Sequence, residues 1–177
     1  SEVARVTENS TAPEPERRLA RALELAYRHL NRRDRTAAQM RRHLASRGVD
    51  EPAIDGAVAA LVGEGHLDDA RYARTFAEDR RSLDGWGPER IQRALLEAGI
   101  DAELVAAALG DRDASDELDA AITLLRRRCR EVPATDRERE RALGLLARKG
   151  YELELAYEAV RAFERTAASG ETHVRTA

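Results

Sequence analysis

Gly48, Gly99 and Gly150 stand at equal intervals along the chain, and the residues around them repeat with the same period. Leu44, Leu95 and Leu146 are equivalent, as are Met40, Ile91 and Ala142. A hydrophobic residue follows each glycine directly: Val49, Ile100 and Tyr151. The pattern reads as a helix with apolar residues at i and i+4, a glycine stop, and an apolar anchor. A glycine just past a helix end takes the left-handed conformation at little cost. A long period of this kind marks a chain built from copies of one supersecondary unit, stacked because each is too small to bury its own faces.

A second short helix is expected after each glycine. The first starts near Asp50 and carries Ile54, Ala57, Val58 and Leu61. The next starts at Asp101 with Leu104, Ala108 and Leu109, and the last carries Leu155, Ala159 and Val160. Spacings of three and four mark amphipathic helices. A leading helix opens each unit, at about Arg17–Leu30, Asp69–Ser82 and Asp116–Arg130. Thr36-x-x-Gln39 and Thr135-x-x-Glu138 are capping-box patterns, and Asp50 and Asp101 are good N-caps. Pro88 suits a first helical position. Ser115 before Asp116 and Glu117 puts negative charge in a first turn. With no alternating segment that reads as a strand, the expected fold is all-α. It consists of three tandem three-helix repeats in an elongated stack, at 17–67, 68–110 and 111–165. A disordered tail is expected at 1–16 and a flexible one at 166–177.

Composition narrows the function. Charged residues make up 36% of the chain and aromatics 4%, with a net charge of −3. High charge suits a fold with much surface, and few aromatics suit thin helical layers. Residues 17–67 carry ten basic and six acidic side chains and are the most electropositive part. Nearly every cation is Arg, whose planar fork matches carboxylates and phosphates. Cys129 is the sole cysteine, so no disulfide framework forms, and a reducing, cytoplasmic compartment fits. Arg126, Arg127 and Arg128 before it would lower its pKa, although a half-buried structural thiol is the preferred reading. No apolar run is long enough to span a membrane, and no signal-peptide pattern opens the chain.

Catalysis finds little support. His29, His43, His66 and His173 have no partners at metal-ligand spacing, so neither metal nor cofactor is expected. Asp68-Asp69 stands at a helix start, where capping accounts for it. The stretch from Arg35 to Asp69 has the outline of a helix-turn-helix, but its last helix lacks the basic residues that reach bases and phosphates. The second helix of each unit is more informative. Arg35, Gln39, Arg42 and Ser46 form a line opposite its apolar stripe. The equivalent lines are Trp86, Arg90, Arg93, Glu97 and Arg137, Arg141, Gly144, Arg148. The stripe is either a solvated face of an Arg-rich protein or a discontinuous basic track for an acidic surface or phosphates. Trp86 either packs or makes contact.

Gly65-His66-Leu67-Asp68-Asp69-Ala70-Arg71-Tyr72-Ala73 closely resembles the most characteristic stretch of the RecX family. Trp86-Gly87-Pro88-Glu89-Arg90-Ile91 with Leu95 and Gly99-Ile100 resembles its second signature, and Ala147-Arg148-Lys149-Gly150-Tyr151 its third. The resemblance covers about residues 17–165. Thr36-Ala37-Ala38-Gln39-Met40 departs from it, since the family usually has an acidic residue and Leu there, and Glu97 interrupts the basic stripe. The resemblance implies a non-enzymatic regulator lying in the groove of the RecA–single-stranded DNA filament. There it restrains ATP hydrolysis, strand exchange and repressor cleavage. A monomer is expected. Arg35, Arg42, Trp86, Arg90, Arg93, Arg137, Arg141 and Arg148 are the expected partner-binding residues. Weak direct contact with single-stranded DNA, a helical DNA-binding protein, and an adaptor for another partner are the competing expectations.

Overall fold

The structure, a computed structural model, describes residues 13–110 and 112–171. Among them the regular elements are nine α-helices, with no strand. They are α1 (Glu14–Leu30), α2 (Ala37–Ser46), α3 (Glu51–Gly63), α4 (Asp69–Asp84) and α5 (Pro88–Glu97), then α6 (Ala102–Leu109), α7 (Ala114–Arg128), α8 (Asp136–Lys149) and α9 (Leu153–Glu171). Helix α1 starts within the tail expected to be disordered, and α9 runs past the expected end of the third repeat. Residues 1–12 and 172–177 of the expected tails, with His173, lie outside the described residues.

The chain forms two compact units. One comprises the residues up to Tyr72 together with Ala98–Asp101; the other comprises Ala73–Glu97 and the residues from Ala102 on. In the first, Ala22 and Ala26 of α1, Met40 and Leu44 of α2, and Ile54, Ala57, Val58 and Leu61 of α3 form the core, closed by Leu67. Each core position falls at the helical spacing its sequence sets. Met40, Leu44 and Leu61 are wholly inaccessible to solvent, and truncating one such side chain to Ala costs about 2–5 kcal/mol. In the second unit, Ala121, Leu124 and Leu125 of α7 pack with Ala142 and Leu146 of α8 and Ala156, Ala159, Val160 and Phe163 of α9. In α6 the buried residue is Val105, one position on from the expected Leu104. Leu83, near the end of α4, is 78% exposed.

Caps fix most boundaries. The Thr36 hydroxyl accepts from the Gln39 amide at 3.1 Å while the Gln39 side chain accepts from the Thr36 amide at 3.1 Å. Thr135 and Glu138 make the same reciprocal pair. Asp50 accepts from the Ala53 amide at 3.0 Å. Helix α7 opens on Asp113, not on Ser115, because Asp113 and Asp116 form the capping box there. That choice frees Glu117 to turn inward. Gly48, Gly99 and Gly150 all adopt positive φ, as the repeat requires.

The starts of two helices meet the ends of others within the units. In the first unit, Thr36 donates its hydroxyl to the Ala98 carbonyl at 2.6 Å. The Ala37 amide donates to Asp69 Oδ1 at 2.9 Å. In the second, the Gly87 and Glu89 amides donate to the carbonyls of Lys149 and Gly150 at 2.7 and 3.1 Å. The first amides of a helix have no partner inside it, so these bonds complete α2 and α5. The end of α8 at the start of α5 also sets opposite ends of two helix dipoles together. Closeness here needs glycine: a Cβ on Gly150 would stand 2.3 Å from the Arg90 Cβ, and one on Gly87 would stand 2.5 Å from the Gly150 carbonyl oxygen.

Candidate interaction surface

In the first unit the expected stripe is split by local demands. Gln39 is held in the capping box, and the Ser46 hydroxyl donates to the His43 carbonyl at 2.6 Å. Arg35 is half-buried just before the N-cap, and its Nε is buried with no acceptor. Burial, then the nearby Arg33, push its pKa down. Arg42 is exposed and forms no ion pair among the described residues, whereas Arg18, Arg28, Arg41 and Arg71 pair with Asp50, Glu24, Asp55 and Asp68.

The second unit gathers Trp86, Arg90 and the end of α8. The Arg90 guanidinium lies 4.0 Å from the Trp86 ring centroid and donates to the Arg148 carbonyl at 3.0 Å. Arg80 lies 5.4 Å from the same ring and 5.2 Å from that of Phe76, which meets Trp86 edge-on at 6.1 Å. Trp86 is therefore a half-buried platform for two cations, each such contact worth roughly 0.5–1 kcal/mol near solvent. Packing and cation contact, alternatives in the sequence, are both realised. Arg93, Arg137, Arg141 and Arg148 are exposed and form no ion pair among the described residues. Arg141 and Arg148 line a shallow cavity of about 600 Å³; Arg137 does not.

Cys129 borders that cavity at the end of α7. Its arginine neighbours do not lower its pKa: burial raises it, in keeping with the half-buried structural thiol preferred from the sequence and against the alternative of a lowered pKa. The thiol is half-buried and the three arginines are exposed, so desolvation of the thiolate prevails.

A larger hollow, about 700 Å³, is lined by Arg74, Arg81, Trp86, Arg112, Glu117 and Tyr151 among others. Glu117, 8% exposed, stands 3.3 Å from Arg112 and 3.8 Å from Arg81. Burial, with the Glu117 charge behind it, pushes the Tyr151 phenol up to about 12. None of this triad was expected from the sequence, where Glu117 reads as first-turn charge.

Three further arrangements were not legible beforehand. The His29 and His43 rings stack at 3.7 Å with an interplanar angle of 5°. Lys149 donates to the Asp84 carbonyl at 2.8 Å, which neutralises the end of α4. Asp69, read as a cap of its own helix, instead serves α2; Asp68 caps α4 by accepting from the Arg71 amide at 2.9 Å. Among the described residues no three His, Cys, Asp or Glu side chains gather as a metal site. Among the described residues no helix is long and apolar enough to cross a membrane.

The chain is thus an all-helical protein whose surface carries arginines that hold no ion pair among the described residues. Two family models match the chain: the RecX first three-helix domain over residues 22–61 and the RecX second three-helix domain over residues 68–109. "Regulatory protein RecX" of Mycobacterium sp. (strain KMS) is 32% identical over 161 residues, covering 86% of this chain and 88% of that protein. The protein of that name from Xanthomonas campestris pv. campestris (strain B100) is 34% identical over 150 residues, covering 83% and 91%. The crystal structure of RecX from Lactobacillus salivarius superimposes with a TM-score of 0.71 over 83% of this chain and 97% of that one. Its sequence identity is 18%, a likeness of fold. The chain belongs to the RecX family, whose members are regulatory proteins and not enzymes.

Proposed function

We propose that this protein regulates the RecA recombinase by binding in the groove of the RecA–single-stranded DNA filament. It restrains ATP hydrolysis, strand exchange and coprotease activity, and so acts on recombination, DNA repair and the SOS response. It works as a cytoplasmic monomer built of three repeats at 17–67, 68–110 and 111–165, without cofactor. Arg35, Arg42, Trp86, Arg90, Arg93, Arg137, Arg141 and Arg148 face the partner, Trp86 through the cations it holds.

The observation behind this reading is the pairing state of the arginines. Arg42 and Arg93, at equivalent repeat positions, are exposed and hold no ion pair among the described residues, as do Arg141 and Arg148. Guanidiniums left unpaired on repeated surfaces suit a partner that itself repeats, because linked weak contacts gain from effective concentration. The test is the single-stranded-DNA-dependent ATPase rate of the cognate RecA as the protein is titrated in. Inhibition at or below stoichiometric amounts is expected. An unchanged rate with folded protein refutes the reading. Direct contact with single-stranded DNA is the second reading, favoured by the cationic cluster of the first unit.

A further inference from the structure

The hollow of about 700 Å³ beside Trp86 lies wholly within the second unit, and sites for one small molecule have about this size. Part of its wall is apolar, made by Ala107 and Ala108 of α6 and Ala120 and Leu124 of α7. Gly85 lets the loop after α4 lie against that wall, where a Cβ would stand 2.9 Å from Leu124 Cδ1. The charged lining consists of five arginines, Arg74, Arg81, Arg112, Arg127 and Arg128, and three carboxylates, Glu78, Asp84 and Glu117. Two of those carboxylates are engaged, Asp84 with Arg80 and Glu117 with Arg81 and Arg112. The buried Glu117 thus holds two guanidiniums in place. Neither is fully served: the Nε atoms of Arg81 and Arg112 are buried and donate no hydrogen bond, and Arg81 Nη2 reaches the Leu109 carbonyl only at 3.5 Å. Arg74, Arg127 and Arg128 are exposed and hold no ion pair among the described residues.

We propose that this hollow binds a nucleoside diphosphate, with its phosphates on Arg74, Arg81, Arg127 and Arg128 and its base against the wall of alanines and Leu124. The lining arginines outnumber the lining carboxylates by two, an excess that calls for a polyanion and not for a single carboxylate. Arginine forks match phosphate oxygens in pairs, and a phosphate brings acceptors to guanidiniums whose Nε atoms have none. The apolar wall accounts for the other half of the ligand. Bare pyrophosphate would leave that wall in water, whereas a flat base covers it and gains from its burial. A hollow bordered by α4, the loop after it, α6 and α7 suits one small molecule; a peptide is bound along an extended groove or sheet edge. The site stands apart from the filament reading and from the strand reading, because its test contains neither RecA nor a nucleic-acid strand.

The experiment is isothermal titration calorimetry of the full chain with ADP at low salt, alongside the emission of Trp86, the sole tryptophan, which borders the hollow. ADP should bind saturably at one site and alter that emission. Adenosine, without charge for the arginines, should bind at least about tenfold more weakly. Pyrophosphate, without a base to bury, should also lose at least about tenfold. Arg74→Ala and Arg127→Ala are combined in one variant; both side chains are exposed, so circular dichroism should match the parent while ADP binding falls at least about tenfold. Arg126→Ala removes an equally exposed charge from α7 outside the lining and should stay within about twofold of the parent, as a screened distant charge does. Ala107→Phe, at an exposed position of α6, fills the hollow and should abolish binding with the arginines intact. No saturable binding of ADP by the parent, parent-like affinity in either lining variant, or equal loss in Arg126→Ala overturns the site. Pyrophosphate that binds as tightly as ADP overturns the nucleoside assignment.

Discussion

Asp69 Oδ1 accepts a hydrogen bond from the amide of Ala37 at 2.9 Å. The carboxylate sits at the start of one helix and completes the start of another, where the Thr36–Gln39 capping box leaves an amide unserved. Asp69→Ala should therefore destabilise the first unit by about 1–2 kcal/mol, the cost of a lost cap or an unsatisfied buried donor. Asp68→Ala, which removes the cap of α4 itself, should cost about 1 kcal/mol. Thermal denaturation of both variants separates the two roles. Equal small losses would show that the Ala37 bond contributes nothing of its own.

The repeat glycines should differ in tolerance despite their common backbone conformation. A Cβ on Gly48 meets nothing within 4 Å, whereas one on Gly150 stands 2.5 Å from the Arg90 amide nitrogen. Gly48→Ala should cost only the left-handed penalty of about 1–2 kcal/mol. Gly150→Ala adds a clash with backbone and should cost at least about 2 kcal/mol more, in the range of overpacking. Urea denaturation gives both numbers.

Stability should fall on acidification before the carboxylates titrate. His29 protonates at about 4 in the folded protein against 6.5 when unperturbed. Between these values the unfolded chain holds a proton that the folded chain does not. The contribution is complete above 6.5 and is lost as the pH falls toward 4. Discounted for solvent screening it amounts to roughly 1–2 kcal/mol. A His29→Phe variant should keep the ring stack and show a flatter profile across that window.

Glu117→Gln should leave Arg81 and Arg112 facing each other without their shared carboxylate. Breaking a buried pair costs about 3–5 kcal/mol; partial exposure of Arg112 brings the expected loss nearer 2 kcal/mol. Tyr151 offers an independent readout. With the Glu117 charge gone, its phenol should ionise at a lower pH than the parent's value of about 12, measurable by ultraviolet titration.

Arg42→Ala with Arg93→Ala should weaken filament binding while melting temperature and helical signal stay unchanged, since neither side chain holds an ion pair. Added salt should weaken the parent's binding, as screening requires. Unchanged binding would remove the stripe from the functional account while leaving the family assignment intact.

The sequence by itself determined the helices, the repeat and most caps. These follow from local rules: apolar spacing, a glycine stop, a side-chain acceptor three residues before an amide. Thr36, Asp50 and Thr135 behave as those rules state. It also placed Arg42, Arg93, Arg137 and Arg141 on solvent, since a position opposite an apolar stripe faces water whatever lies across the core. Only the tertiary structure decided which polar groups meet across long stretches of chain. Asp69 with Ala37, Arg90 with Arg148, Lys149 with Asp84 and Glu117 with two arginines join residues far apart in sequence, where no periodicity carries a signal. The same holds for His29 and His43, and for Cys129, where burial outweighs three neighbouring charges. Hydrogen bonds and desolvation act over a few ångströms of space, and it is the packing of the helices that brings those ångströms about.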